Sequence, residues 1–215
     1  MPHQARRAPV QARAQMTRER LLDAAVRCFA AEGYDAASTR QIEAAAGVKR
    51  GLVAYHFGTK DALWKEAVTW WFGQASHMLR VRVSGAGGPD PAAQLRALIT
   101  GFVRFSAGFP EANRLMIREG MHDDWRLEWL AEHIVRPWYE RLRGVFEEAR
   151  SVGAVRDVPF VHFYYVLIGA GSLLFSMAPE VERLAGIDPS DEDVVGDHAD
   201  VIADLLISGK AVGEA

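Results

Sequence analysis

Between residues 44 and 63 the chain reads AAAGVKRGLVAYHFGTKDAL. Two adjacent cations, Lys49 and Arg50, lie between Gly47 and Gly51. Tyr55, His56 and Phe57 follow, then Gly58, Thr59 and Lys60. Ammonium, guanidinium, phenol and imidazole groups packed this closely suit one chemistry, which is contact with the phosphate oxygens of a polyanion. Covalent and metal chemistry find less support. Cys28 is the one cysteine, so neither a disulfide nor a paired-cysteine zinc site can form within the chain. There is no glycine-rich phosphate loop and no G-x-S-x-G nucleophile turn. Glu119 and His122 make one E-x-x-H, but carboxylate-bridged metal bundles need two such motifs and two further carboxylates, and no second copy exists. No metal, no cofactor and no catalytic residues are expected.

The distribution of charge agrees with an anion-binding segment. The whole chain is close to balanced at −3, yet residues 1–60 carry +5 and the remainder −8. A basic front and an acidic body suggest one part that meets an anion and one that does not. With 215 residues and 49% apolar content there is material for a sizeable core. The apolar runs fall short of the roughly 20 residues a membrane helix needs. The opening MPHQARRAPVQARAQ lacks an apolar segment, so no secretory signal is expected and a cytoplasmic location is.

What positions the cations is a set of helices. Apolar residues recur with helical spacing from residue 17 to residue 208, and no alternating strand pattern competes, so the fold class is all-α. Residues 1–16, with Arg6, Arg7 and Arg13 among Ala, Gln and Pro, read as a disordered basic arm. A first helix starts near Thr17, with Thr17 as its cap and Met16 stapled to Leu21. Leu22, Ala25, Val26 and Phe29 form its buried face, and Gly33 ends it. Ser38 and Gln41 have the spacing of a capping box for a short second helix, whose apolar side is Ile42, Ala45 and Ala46. After the turn at Gly47 a third helix is expected over about 49–56, with Val48, Val53 and Phe57 inward and Leu52, Ala54 and Tyr55 outward. Two short helices joined by a glycine turn make a helix-turn-helix, whose second helix enters the major groove of DNA. Thr59 caps the next helix, which makes Lys60 its first residue. A cation opposes the dipole at that end unless a phosphate sits there too.

The residues STRQIEAAAGVKRGLVAYHFGTKDAL, 38–63, resemble the DNA-binding segment of the TetR (tetracycline repressor) family of transcriptional regulators. The resemblance runs from residue 17 to about 64. It departs from the family's general pattern at Lys49, Leu52 and Ala54, which bear on the base contacts. It implies an N-terminal three-helix DNA-binding domain over 17–58, an effector-binding and dimerisation domain over 59–209, and a tail at 210–215. The expected DNA-binding residues are Thr39, Arg40, Lys49, Arg50, Gly51, Leu52, Ala54, Tyr55, His56 and Lys60.

The acidic part reads as helices at about 59–83, 91–108, 111–121, 124–151, 159–177 and 190–208, with loops at 84–90 and 178–191. Segments such as PEANRLMIREG and WLAEHIVRPWYERLR resemble C-terminal regulatory domains of some TetR-family members. A mostly apolar pocket with a few polar anchors is what a small molecule needs. Its candidate lining is Phe102, Phe105, Met116, Trp125, Trp129, Phe163 and Leu167, with Glu119, His122 and His133 as anchors. The helix at 159–177 is apolar all round, so both sides must be covered. Val161, Tyr165, Ile168, Gly169 and Ser172, with Val201, Ile202 and Leu205 of the last helix, are expected to form a four-helix homodimer interface.

These readings converge on a DNA-binding transcriptional regulator rather than an enzyme. Its expected partners are a second copy, a palindromic double-stranded operator and a small apolar or aromatic effector, with no membrane. A regulator without an effector, or a helical enzyme or carrier, are the alternatives; DNA binding and a filled C-terminal core would tell them apart.

Overall fold

The computed structural model describes residues 7–83 and 90–207. Residues 1–6 of the expected arm, the glycine-rich stretch 84–89 and the tail at 210–215 lie outside the described residues. Among those described there is no β-strand. The described residues form eleven α-helices in order: α1 (Arg7–Glu32), α2 (Thr39–Ala45), α3 (Leu52–Phe57), α4 (Lys60–Val83), α5 (Pro91–Gly108), α6 (Pro110–Glu119), α7 (Trp125–Leu130), α8 (Arg136–Ser151), α9 (Phe160–Ser176), α10 (Ala178–Ala185) and α11 (Glu192–Leu206). A π-helical turn, Ala131–Val135, joins α7 to α8.

Helix α1 begins at Arg7, ten residues before the expected start, so the described part of the basic arm is helical. Thr17 is not a cap: its hydroxyl donates to the Arg13 carbonyl, 2.9 Å away, inside the helix. Met16 is exposed and staples nothing. The predicted inner face of α1 holds, with Leu22, Ala25, Val26 and Phe29 buried. The expected loop at 178–191 contains α10. Pro179 lies in its first turn, where its missing N–H costs nothing, so the proline starts a helix there.

Two apolar cores hold the chain. The first joins α1, α2, α3 and the start of α4 to Ala112 and Leu115 of α6 and Leu130 of α7. The second is built from α5, α8, α9 and α11. Phe105 packs against both. The first core therefore runs past residue 58 into the C-terminal helices, and the DNA-reading unit is anchored on α4, α6 and α7 together. Trp64 is fully buried at this junction, with the Trp125 and Trp129 rings 5.5 and 5.6 Å from its own. In the second core a Cβ on Gly171 would lie 2.9 Å from the Phe102 ring, so glycine there lets α9 approach α5. Gly169, expected at the dimer interface, faces open space in the single chain.

Candidate nucleic-acid interface

The helix-turn-helix is specified by caps. The Ser38 hydroxyl accepts from the Gln41 N–H at 3.2 Å, and the Gln41 side chain accepts from the Ser38 N–H at 2.9 Å, so the capping box is complete. At the far end of α2 the Val48 N–H donates to the Glu43 carbonyl and the Gly47 N–H to the Ala44 carbonyl, both at 3.0 Å. That is a Schellman cap, and Gly47 takes the left-handed φ of +62° that it requires. From α1, the Arg20 guanidinium donates to the Gly47 carbonyl at 3.3 Å, which ties the turn to the first helix.

Helix α3 starts at Leu52, three residues after the expected start. Lys49 and Arg50 therefore belong to the turn, and Gly51 precedes the helix at φ +87°, a conformation that glycine adopts without strain. The helix has no side-chain cap from its own N-cap residue. Glu43 of α2 supplies one instead. Its buried carboxylate accepts from the Val53 N–H at 2.8 Å, where the helix dipole favours negative charge. Ala45, expected on the inner side of α2, is exposed, and Glu43 is buried. Glu43→Gln keeps the shape but loses the charge. It is expected to cost about 1–2 kcal/mol of stability and to weaken DNA binding through misplacement of α3; urea unfolding and a duplex titration check the two effects.

Among the candidate contacts, Arg40, Lys49, Arg50, Gly51, Ala54 and Tyr55 are exposed, and Tyr55 stands out at 79% exposure. Thr39 and His56 are half-buried. Leu52 corrects the outward assignment: it packs against the first core beside Val48, while Val53 and Phe57 are buried as expected. Thr59 accepts from the Ala62 N–H at 3.1 Å, so it caps α4 and Lys60 opens that helix. Lys60 is not fully extended into solvent. Its ammonium lies 4.3 Å from the Tyr34 ring centroid and donates to the Asp35 carbonyl at 3.4 Å.

The expected effector site is not brought together as one group. Phe102, Phe163 and Leu167 are in the second core, whereas Met116, Trp125 and Trp129 pack on the first. Glu119 is no free anchor. At 1% exposure it accepts a 2.6 Å hydrogen bond from the buried Arg126 guanidinium. His122 is exposed, and so is His133, whose ring stacks on Trp129 with a 4.9 Å centroid separation. Among the described residues three buried side-chain polar groups lack a hydrogen-bond partner, and the sequence pattern shows none of them: the Trp64 indole N–H in the first core, the Ser106 hydroxyl and the Trp138 indole N–H. Ser106 follows Phe102 by one helical turn, and the Trp138 ring stacks on Phe102 at 6.3 Å. Among the described residues no cluster of His, Cys, Asp and Glu could hold a metal ion.

On α9, Val161, Tyr165, Val166 and Leu173 are exposed, as are Met177 at its C-cap and Val201 and Leu205 on α11. The two helices are neighbours: His198 hydrogen-bonds the Ala170 carbonyl at 2.9 Å through a ring nitrogen. Ser172 and Ile202, expected at the interface, point inward; the Ser172 hydroxyl donates to the Ile168 carbonyl at 2.7 Å. Ile168 is half-buried against the second core. No single described helix is long and apolar enough to cross a membrane.

Residues 21–67 match the family model described as bacterial regulatory proteins, tetR family, and residues 91–206 match the tetracyclin repressor-like C-terminal domain. The HTH-type transcriptional repressor NicS of Pseudomonas putida is 26% identical over 206 residues, covering 91% of this chain and 93% of that protein. AcnR, an HTH-type transcriptional repressor of Corynebacterium glutamicum, is 45% identical over 47 residues, which is 22% of this chain and 25% of that one. Among solved structures, the hemolysin II transcriptional regulator HlyIIR superposes with a TM-score of 0.65 at 21% identity, covering 89% of this chain and 99% of that one. The fatty acid degradation regulator FadR from Bacillus halodurans gives 0.63 at 16% identity, over 87% and 98%.

Proposed function

The chain belongs to the TetR family of bacterial regulators, whose members are DNA-binding proteins and not enzymes, and from that premise we propose a homodimeric repressor that leaves a palindromic operator when a small apolar or aromatic molecule binds. It would act in the cytoplasm, where the DNA is. The observation that carries the reading is the exposed Lys49–Arg50 pair, held at the mouth of α3 by the Gly47 and Gly51 turns. Phosphate contacts from these cations supply affinity. Exposed Ala54 can meet a thymine methyl, and Tyr55 can donate to a phosphate oxygen.

Selection of bound duplexes from a random pool, at several salt concentrations, tests it. A palindrome with half-sites about one helical turn apart is expected. Joint Lys49→Ala and Arg50→Ala substitution should lower affinity on the order of 100-fold and flatten the salt slope by about two units. Recovery of no sequence above background would overturn the reading.

The effector reading is supported by Ser106 and Trp138. Two buried donors beside Phe102 lack acceptors, a state that costs about 1–3 kcal/mol each and that a bound carbonyl or hydroxyl oxygen would relieve. We place the effector at the seam between the two cores, around Phe102 and Phe105. Binding of effector and operator must be reciprocally coupled. An effector whose presence leaves operator affinity unchanged in a calorimetric titration would refute this part.

A further inference from the structure

Lys60 and the C-terminal domain meet at one aromatic ring. Tyr34 lies in the connection between α1 and α2 and packs on Phe29, 5.7 Å away, and edge-on to Trp125 of α7, also 5.7 Å away. Its hydroxyl donates to Asp61 at the start of α4. Two cations share its ring: the Lys60 ammonium at 4.3 Å and the Arg126 guanidinium at 4.6 Å from the centroid. They also share Asp35. Lys60 donates to its carbonyl at 3.4 Å, and Arg126 lies 3.8 Å from its carboxylate. Arg126 itself cannot leave easily. It is buried, with Glu119 at 2.6 Å and Asp124 at 2.7 Å holding the rest of its fork.

We infer that Arg126, a residue of the C-terminal domain, is a positioning residue for DNA binding that keeps Lys60 available to a phosphate by sharing, and so weakening, the hold of the Tyr34 ring and of Asp35 on the Lys60 ammonium. The inference rests on the proposed DNA-binding role of Lys60. Like charges around one ring repel, and a cation–π contact is strongest for a single desolvated cation. With Arg126 in place, neither the ring nor Asp35 belongs to Lys60 alone, so the ammonium is held loosely at the end of α4. With Arg126 gone, Lys60 has the Tyr34 ring and Asp35 to itself, and both compete more strongly with the phosphate. Glu119 and Asp124 fix Arg126 from α6 and the start of α7, so the state of the C-terminal helices reaches a DNA contact without any movement of α3.

The test is the salt dependence of binding, measured on the selected duplex and on a fixed mixed-sequence duplex. Arg126→Met is combined with Glu119→Leu, so that no buried carboxylate is left unpaired. The double variant is expected to bind with a salt slope lower by about one unit, as if one phosphate contact were missing. Lys60→Met should cause the same loss in the parent protein and none in the double variant. Arg126→Lys retains a cation beside Glu119 and so preserves folding, but one ammonium cannot pair with Glu119, cover the ring and reach Asp35. It should lower the slope by about the same amount. An unchanged slope in either Arg126 variant, or losses that add with Lys60→Met, overturns the inference. Failure of the parent protein to bind either duplex would instead overturn the DNA-binding role on which it rests.

Discussion

An Arg126→Ala protein is expected to lose about 3–5 kcal/mol of folding stability, the largest single-site effect anticipated in this chain. Its guanidinium is buried and is the hydrogen-bond partner of the Glu119 carboxylate, itself 1% exposed. Truncation leaves an ionised group in an apolar setting between α6 and α7, and it also removes the cover from the Tyr34 ring. Asp124 and Asp35 lose a partner too, but both reach water, so their contribution is small. Replacing Arg126 and Glu119 together by apolar residues of similar volume should recover most of the loss, because buried ion pairs return little beyond their desolvation cost. Urea unfolding of the three proteins checks both statements. A single variant within about 1 kcal/mol of the parent would contradict the burial argument.

The second large effect concerns the face shared by α9 and α11. Val161, Tyr165, Gly169 and Leu173 of α9 and Met177 at its C-cap recur every fourth residue, and the four large ones are exposed. Tyr165 is 67% exposed and Leu205, on neighbouring α11, 73%. An apolar stripe of this length on a lone chain invites self-association. Tyr165→Asp combined with Leu205→Asp is expected to give a folded monomer by light scattering. Operator affinity should fall on the order of 100-fold or more, because the second half-site is then no longer delivered by the first. A dimer of unchanged stability in the double variant would move the interface elsewhere.

The reading head was legible because its signals are local. The Ser38/Gln41 box and the Gly47 turn are written within a few residues, and the α1 periodicity placed Leu22, Val26 and Phe29 inside without knowledge of their partners. Features that depend on distant partners were not. Glu43 meets a backbone N–H ten residues on, a partner that no side-chain pattern displays. Arg126 draws on α6, α7 and the Tyr34–Asp35 segment at once. On α9, apolar all round, periodicity gives no phase, so Ser172 was assigned to the interface although the exposed stripe runs one position away through Leu173. The expected effector residues divide between two cores for a related reason. Bulky side chains announce a core, but only packing shows that Phe102 and Trp129 belong to different ones.

The buried Trp64, edge-on to Trp125 and Trp129, has an optical consequence. Three of the chain's six indoles form one asymmetric cluster where α4 meets α7, and the Lys65 ammonium lies 5.0 Å from the Trp125 ring. Their coupled transitions give that junction its own near-ultraviolet circular dichroism and emission colour. Any tilt of the reading head against the body would alter both, so the unlabelled protein carries a spectroscopic gauge for the effector-driven motion proposed above.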